Sequence, residues 1–398
     1  MTLLLLVAVG TAVGVGYTLW GLTEVLPAQQ QSTLRVEVVK TSLAVAAGTS
    51  GIGALVIAVR RQWLSERAQQ HIEQEAVLSR HHAELVAADA RIDATEKRIT
   101  DLYAKSAELL GSDRPSVALA GLYSLERLGQ NYEQHRQTIV DLICGFIRIS
   151  SREDQAGSVM PGGELLPQAM RVLARHIRPA TQGDYWGQLT LDLSYSRLHG
   201  VDFSDCALTG ADFTGTEFLT EANFSRSQLY AVKFDKAVFQ GHAEFSDSQP
   251  FKFTRFTAVR FMQYALFSKC NGPVGLIFEG CQFDSNFDLT KANLGGLLVS
   301  DCQILGPFSC RDITTDGQIL ISDCNFTQSA ISYRTRAAMT RFFGCTFAGV
   351  VNLDDTPGLQ LELCSLVAGG RYEGLDCVVD RNSGQLACVS QGGAQGPP

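Results

Sequence analysis

Large apolar residues recur at every fifth position of the chain from Leu193 onward. An α-helix repeats about every 3.6 residues and a strand about every two, so neither accounts for this period. A square coil does, if each side is five residues long and turns one large residue inward. With three one-residue slips, the positions are Leu193, Leu198, Phe203, Leu208, Phe213, Phe218, Phe224, Leu229, Phe234, Phe239, Phe245, Phe251, Phe256, Phe261 and Leu266.

A set of small residues precedes many of the large ones by two positions. One large and one small inward residue on each side would fill a narrow square interior without voids. The pattern therefore predicts a solenoid of stacked coils with a filled interior. The small positions are Cys206, Ala211, Thr216, Ala222, Ser227, Ala237 and Ala243.

Three segments join the small residue, an Asp or Asn and the large residue in one motif: 211–215, 222–226 and 292–294. They resemble the motif of pentapeptide-repeat proteins, which is a small residue, Asp or Asn, Leu or Phe, and two variable residues. The resemblance implies a right-handed quadrilateral β-helix with four pentapeptides per coil. We assign residues 186–390 to this β-helix, regular to about residue 270 and degenerate after it, and residues 391–398 to a disordered tail.

Five cysteines mark the degenerate half at steps of 21, 22, 21 and 19 residues: Cys281, Cys302, Cys324, Cys345 and Cys364. Each step is close to four pentapeptides, so the cysteines should stack, one per coil, in the small inward position. A metal or disulfide ladder is the alternative. Core packing is favoured because free cysteine packs as a small apolar residue, no Cys-x-x-Cys pair occurs, and the total of eleven is odd. Free cysteines also indicate a reducing compartment.

The first 61 residues contain two apolar runs, Thr2–Thr23 and Thr41–Val59, and the second stops at Arg60-Arg61. Each is about long enough to span a bilayer, which needs about 20 apolar residues. We therefore predict a two-span anchor over residues 1–61, bound to the lipid bilayer, with residues 24–40 as the outer loop. The arginines predict a multi-pass cell-membrane protein with both termini cytoplasmic. Cleavage of the first run as a signal peptide is the alternative.

The middle of the chain reads as helix. Residues 62–110 contain no Gly or Pro and form a predicted helical spacer. Residues 111–185 predict a small helical domain that caps the solenoid, with helices at 117–128, 134–149 and 166–178. The segments 117–128 and 138–148, and the order of two spans, helices and repeats, resemble membrane-anchored pentapeptide-repeat proteins of actinobacteria. That resemblance implies an architecture rather than an activity.

The net charge of −8 lies entirely in the repeat region, because 23 acidic and 15 basic residues follow position 183. Residues 184–247 are the densest part, with ten acidic and four basic residues. Such a rod repels the phosphates of nucleic acid, so we expect no direct nucleic-acid binding and a protein partner of basic character. The predicted partner-binding residues are Asp202, Asp205, Asp212, Glu217 and Glu221.

The sequence contains none of the catalytic or nucleotide-binding motifs that we sought. We therefore predict no enzyme activity, no cofactor and no metal. The function that we expect is a scaffold or adaptor that presents a rigid β-helix to a protein partner, with a homodimer as a further alternative. DNA mimicry is a different possibility, because some pentapeptide-repeat proteins regulate a type II topoisomerase in this way.

Overall fold

A computed structural model describes residues 2–23, 28–153, 165–179, 183–250, 254–332, 334–356, 358–367, 370–373, 377–379 and 386–388. The chain divides into two compact units, Met1–Lys97 and Arg98–Pro398. The helices are α1 (Thr2–Thr23), α2 (Ala28–Leu110), α3 (Pro115–Asn131), α4 (Arg136–Glu153) and α5 (Leu165–Ile177), with a short 3-10 helix (Glu133–His135) before α4.

The predicted membrane anchor is wrong. Among the described helices, none combines the length and the hydropathy of a bilayer-spanning segment, which overturns the two predicted spans and the multi-pass location. The predicted outer loop at residues 24–40 is also wrong over most of its length, because α2 already begins at Ala28.

The helices α3, α4 and α5 lie close to their predicted positions. The helix α2 ends at Leu110, directly before Gly111, and Pro115 occupies the first turn of α3, where its missing N–H costs nothing. At Gly121 a Cβ would lie 2.4 Å from the backbone nitrogen of Leu110, so only glycine permits this approach. The helix α5 covers the first coil, where the Cys206 thiol donates to the carbonyl oxygen of Ala174 at 3.6 Å.

The solenoid consists of short strands. In chain order they are β1 (Arg197–Leu198), β2 (Val201–Asp202), β3 (Ala207–Thr209), β4 (Glu217–Phe218), β5 (Ala222–Asn223), β6 (Gln228–Tyr230), β7 (Val238–Phe239), β8 (Ala243–Glu244), β9 (Gln249–Pro250), β10 (Arg255–Thr257), β11 (Arg260–Phe261), β12 (Ala265–Leu266), β13 (Asn271–Gly272), β14 (Leu276–Glu279), β15 (Gln282–Phe283) and β16 (Phe287–Asp288). The second half continues with β17 (Asn293–Leu294), β18 (Leu297–Ser300), β19 (Gln303–Ile304), β20 (Phe308–Ser309), β21 (Thr314–Thr315), β22 (Gln318–Ser322), β23 (Asn325–Phe326), β24 (Ala330–Ile331), β25 (Met339–Phe343), β26 (Thr346–Phe347), β27 (Val350–Asn352), β28 (Leu359–Glu362), β29 (Ser365–Leu366), β30 (Arg371–Tyr372), β31 (Cys377–Val379) and β32 (Leu386–Cys388).

Each coil passes four parallel sheets in turn, which we call faces 1 to 4. Face 1 has the order β10-β14-β18-β22-β25-β28, face 2 β1-β4-β7-β11-β15-β19-β23-β26-β29, and face 3 β2-β5-β8-β12-β16-β20-β24-β27-β30. Face 4 consists of β3-β6-β9 and β13-β17-β21, while β31 and β32 form a separate antiparallel pair. Bridges from Asp192 through Asp212 and Lys233 to Arg255 extend face 1 over the first coils. The region is a β-solenoid of about eight turns, and its handedness stays a prediction.

Three faces turn phenylalanine into the interior, and rings of successive coils stack. The ring centroids of Phe218 and Phe239 lie 4.4 Å apart, and those of Phe239 and Phe261 lie 5.0 Å apart. These distances are close to the strand spacing of about 4.8 Å, so each ring covers the ring of the coil before it. Every described large position from Leu193 to Phe261 is buried, which confirms the five-residue phase.

The phase prediction is wrong at its last position. Leu266 is only half-buried, and Phe267 takes the inward position instead. The chain uses one more residue at the bend that contains Met262 and Gln263, so the inward position shifts by one. The predicted large position Phe251 and the predicted tail at residues 391–398 lie outside the described residues, and the domain boundaries stay predictions.

Left-handed backbone recurs at the corners of the coil. We call the corner between faces 3 and 4 the charged corner. Its φ angles lie between 52° and 61°. Its residues are Asp205, Arg226, Asp247, Lys269, Lys291, Asp312, Arg334 and Asp355. Left-handed backbone is unfavourable for residues with a Cβ. Hydrogen bonds between coils offset that cost, as where the amide of Lys269 donates to Thr290 at 2.9 Å.

We predict that truncation of one stacked ring destabilises the solenoid strongly. Phe234→Ala should lower the free energy of unfolding by about 3–5 kcal/mol, because the ring is fully buried and stacks on Phe213 and Phe256. Chemical denaturation of the full chain measures this value. Gln228→Ala, at an exposed outward position of β6, is the control and should change it by about 0.5 kcal/mol or less. Equal effects would contradict the assigned interior.

Candidate interaction surface

The acidic and basic residues of the charged corner are equal in number along the rod. Its eight residues are four acids and four bases, one on each of eight successive coils. The guanidinium of Arg226 donates from Nε and Nη2 to the two carboxylate oxygens of Asp205, each at 2.7 Å. These hydrogen bonds lower the pKa of Asp205 below its ordinary value. A predicted partner-binding residue is therefore already held by a base of the next coil.

Two further predicted residues also have basic partners on the next or previous coil. Asp212 lies on face 1, and its carboxylate is 3.5 Å from Nζ of Lys233. Burial raises the pKa of Asp212, but hydrogen bonds from Thr214 and the charge of Lys233 outweigh it and leave the pKa lowered. Glu217 lies on face 2, with its Oε2 3.1 Å from Nε of Arg197.

The remaining two predicted residues lie along face 3. Asp202 is an exposed outward residue of β2, and its nearest base, Arg178, is 3.8 Å away. Glu221 is exposed and directly precedes β5; the described ion pairs do not include it. The five acids thus divide among three faces and a corner, and the structure does not bring them together in one patch.

Glu244 is an acid of the same region that the sequence analysis did not select. The outward positions Asp202, Asn223 and Glu244 are in register on β2, β5 and β8. Two coil spacings of about 4.8 Å put Asp202 and Glu244 about 10 Å apart along face 3. Among the described residues Glu244 has no ion pair; its Oε1 accepts the amide of Ser246 at 2.9 Å. We call Asp202, Glu221 and Glu244 the acidic strip. The register of successive coils is the feature of the sequence from which Glu244 could have been predicted to lie beside Asp202.

A buried polar cluster lies in the helical cap. His176 is 1% exposed, and its ring stacks on Trp186 with centroids 3.8 Å apart. Its Nε2 is 2.8 Å from Oε1 of Glu126, and its Nδ1 is 2.5 Å from the carbonyl oxygen of Asp184. Both neighbours can accept a hydrogen bond, so a ring nitrogen that carries hydrogen has a partner on either side.

The carboxylate of Glu126 is the charged centre of this cluster. The hydrogen bond from His176 lowers the pKa of Glu126, burial acts in the opposite direction, and the nearby charges of His176 and Arg175 add to the lowering. Nη1 of Arg175 lies 2.9 Å from the same oxygen. The cluster joins α3 to α5 and so holds the cap together.

The cysteines of the degenerate half stack in the small inward positions, as predicted. The five residues Cys281, Cys302, Cys324, Cys345 and Cys364 are buried and free. Each thiol donates to a backbone carbonyl of the preceding coil; for Cys281 the acceptor is the oxygen of Phe256, at 3.2 Å. Within the described part of the chain, no group of three or more His, Cys, Asp or Glu has an arrangement that could hold a metal ion.

The fold defines the class of this protein as a β-solenoid repeat protein. Residues 193–238 match the family described as "Pentapeptide repeats (9 copies)", which covers the most regular coils. No curated protein matches the chain. The finer resemblance to membrane-anchored actinobacterial proteins is not confirmed.

We predict that the buried thiols are unreactive in the folded protein. Burial raises the pKa of Cys144, Cys206, Cys270 and Cys310 to about 12, so the reactive thiolate is scarce at neutral pH. Mass spectrometry after brief iodoacetamide treatment at pH 7.5 should find the nine described cysteines unmodified and all eleven modified after unfolding. Rapid labelling of any of the nine in the native protein would contradict the packing.

We predict that Glu126 stabilises the cap in a pH-dependent way. Its folded pKa lies below the unfolded value of about 4.3, so its contribution is present above that pH and is lost as the pH falls through the folded value. Glu126→Gln should lower the free energy of unfolding by about 1–3 kcal/mol at pH 7, and the difference from the wild type should shrink below about pH 4.

Denaturant titrations of both proteins at pH 7 and pH 3 measure this difference. Glu108→Gln is the control, because Glu108 is 71% exposed and its ion pair with Lys105 lies at the surface. That variant should change stability by about 0.5 kcal/mol or less at either pH. A difference for Glu126→Gln that is the same at both pH values would contradict the assigned role.

Proposed function

We propose that this protein is a non-enzymatic scaffold whose solenoid binds a basic segment of a protein partner. The observation that carries the proposal is the acidic strip on face 3. Its three carboxylates have no described ion pair closer than 3.8 Å, whereas Asp205, Asp212 and Glu217 have a base of the same rod within 3.5 Å. The strip is therefore a part of the acidic region whose charge is still available.

The interior makes the strip rigid. Val201, Ala222 and Ala243, the inward neighbours of the outward row, are each 2% exposed or less. A partner would bind carboxylates whose backbone positions are already fixed, which reduces the entropy lost on binding. Exposed charges of this kind mainly raise the association rate and set its dependence on salt. Binding should accordingly weaken as ionic strength rises.

The other hypotheses have less support. DNA mimicry requires a continuous negative surface, and bases of neighbouring coils interrupt that surface at Asp205, Asp212 and Glu217. The absence of enzyme activity and the formation of a homodimer stay predictions. A supercoiling assay with a type II topoisomerase tests the alternative directly, because a DNA mimic would inhibit the enzyme.

We predict that removal of the charge from the strip weakens partner binding about tenfold. The test variant is Asp202→Asn/Glu221→Gln/Glu244→Gln, in which the amide oxygens can still accept the hydrogen bonds from Ser204 and Ser246. Two exposed charges and one half-buried charge, at about 0.2–1 kcal/mol each, justify this size. Crosslinking, co-purification and mass spectrometry on the full chain identify the partner, and titration at two salt concentrations measures its affinity.

Asp288→Asn is the matched control. Asp288 is an outward residue of face 3 two coils beyond Glu244, and it accepts the amide of Thr290 as Asp202 accepts that of Ser204. The control variant should bind the partner as the wild type does. Unchanged binding by the triple variant, or equal losses in both variants, would reject the acidic strip as the binding surface.

A further inference from the structure

A polar pocket of about 370 Å³ opens near the C-terminal end of the rod, where the charged corner meets face 4. This location is several coils away from the acidic strip and on a different face. The lining combines charged and hydroxyl side chains: Asp312, Thr314, Arg334, Thr335, Arg336 and Asp355. Its volume is at the small end of the range for ligand sites, and its polar lining suits a small polar molecule.

The pocket lies where the last complete coil has fewer residues between the charged corner and face 1 than the coils before it. Seven positions separate the corner residue Asp312 from the inward residue Ile319 on face 1, and six separate Arg334 from Thr340. Only four separate Asp355 from Leu359 in the following coil. The chain therefore takes a shorter path from the corner to face 1 and leaves the outward row of the preceding coil uncovered.

The uncovered row ends at Arg336, whose backbone pairs with Thr314 of the preceding coil. Arg336 is exposed, and no ion pair among the described residues includes it. The other arginine of the pocket is occupied, because Arg334 donates to Asp312 at 2.9 Å and 3.0 Å. The pocket thus contains one guanidinium whose charge is available, with a threonine hydroxyl on the adjacent strand.

We propose that this pocket binds a small molecule with one oxyanion group, a carboxylate or a phosphate. The planar guanidinium of Arg336 matches either group through two parallel N–H···O bonds, and the Thr314 hydroxyl donates a third. The carboxylate of Asp355 lies in the same lining and repels a second negative group.

Isothermal titration calorimetry on the full chain tests the proposal with three probes: acetate, glycine and inorganic phosphate. Saturable binding of acetate or glycine identifies a carboxylate site. Binding of phosphate alone identifies a phosphate site. Arg336→Gln should weaken binding of the active probe about tenfold or more, because it removes the charge-assisted hydrogen bonds.

Arg255→Gln is the control, since Arg255 is an exposed strand residue on face 1. It should leave probe binding unchanged, and both variants should keep the thermal unfolding midpoint of the wild type. Thr314→Val, a second variant, should weaken binding by a smaller factor. No saturable binding of any probe at millimolar concentration would overturn the proposal, as would equal affinities of the wild type and Arg336→Gln.

Discussion

The packing of phenylalanine between successive coils is the constraint on which the rest of the structure depends. Stacked rings such as those of Phe245 and Phe267 lie 4.7 Å apart, which is close to the spacing of hydrogen-bonded strands. The same coil height therefore satisfies the ring contacts and the backbone ladders together. Because the interior is narrow, each side has room for one large and one small residue, and this limit imposes the five-residue period.

A fixed interior has consequences for the corners and for the outer surface. The sharp turn after face 3 needs left-handed backbone on every coil, and charged residues occupy that position throughout the charged corner. Bases and acids largely alternate there, so pairs such as Arg226 with Asp205 link one coil to the next. The corner thus adds electrostatic contacts between coils to the apolar contacts inside.

The function that we propose depends on the carboxylates that these ion pairs do not neutralise. Most of the carboxylates that the sequence analysis selected form ion pairs within the rod, and the two that keep their charge available lie along face 3. The pocket at Arg336 has a different origin, because it results from missing residues on one side of one coil. Both surfaces depend on the register between coils rather than on any local motif.

The sequence by itself determined the solenoid, its five-residue phase up to Phe261, the inward cysteines and the approximate positions of α3, α4 and α5. These features are local, because a period and a helix can be read within a few neighbouring residues. Tertiary structure decided the shift from Leu266 to Phe267, the ion pairs of the acids and the pocket at Arg336. Each of these depends on which residues of adjacent coils, about twenty positions apart, come into register, and single insertions or deletions change that register without an obvious mark in the sequence.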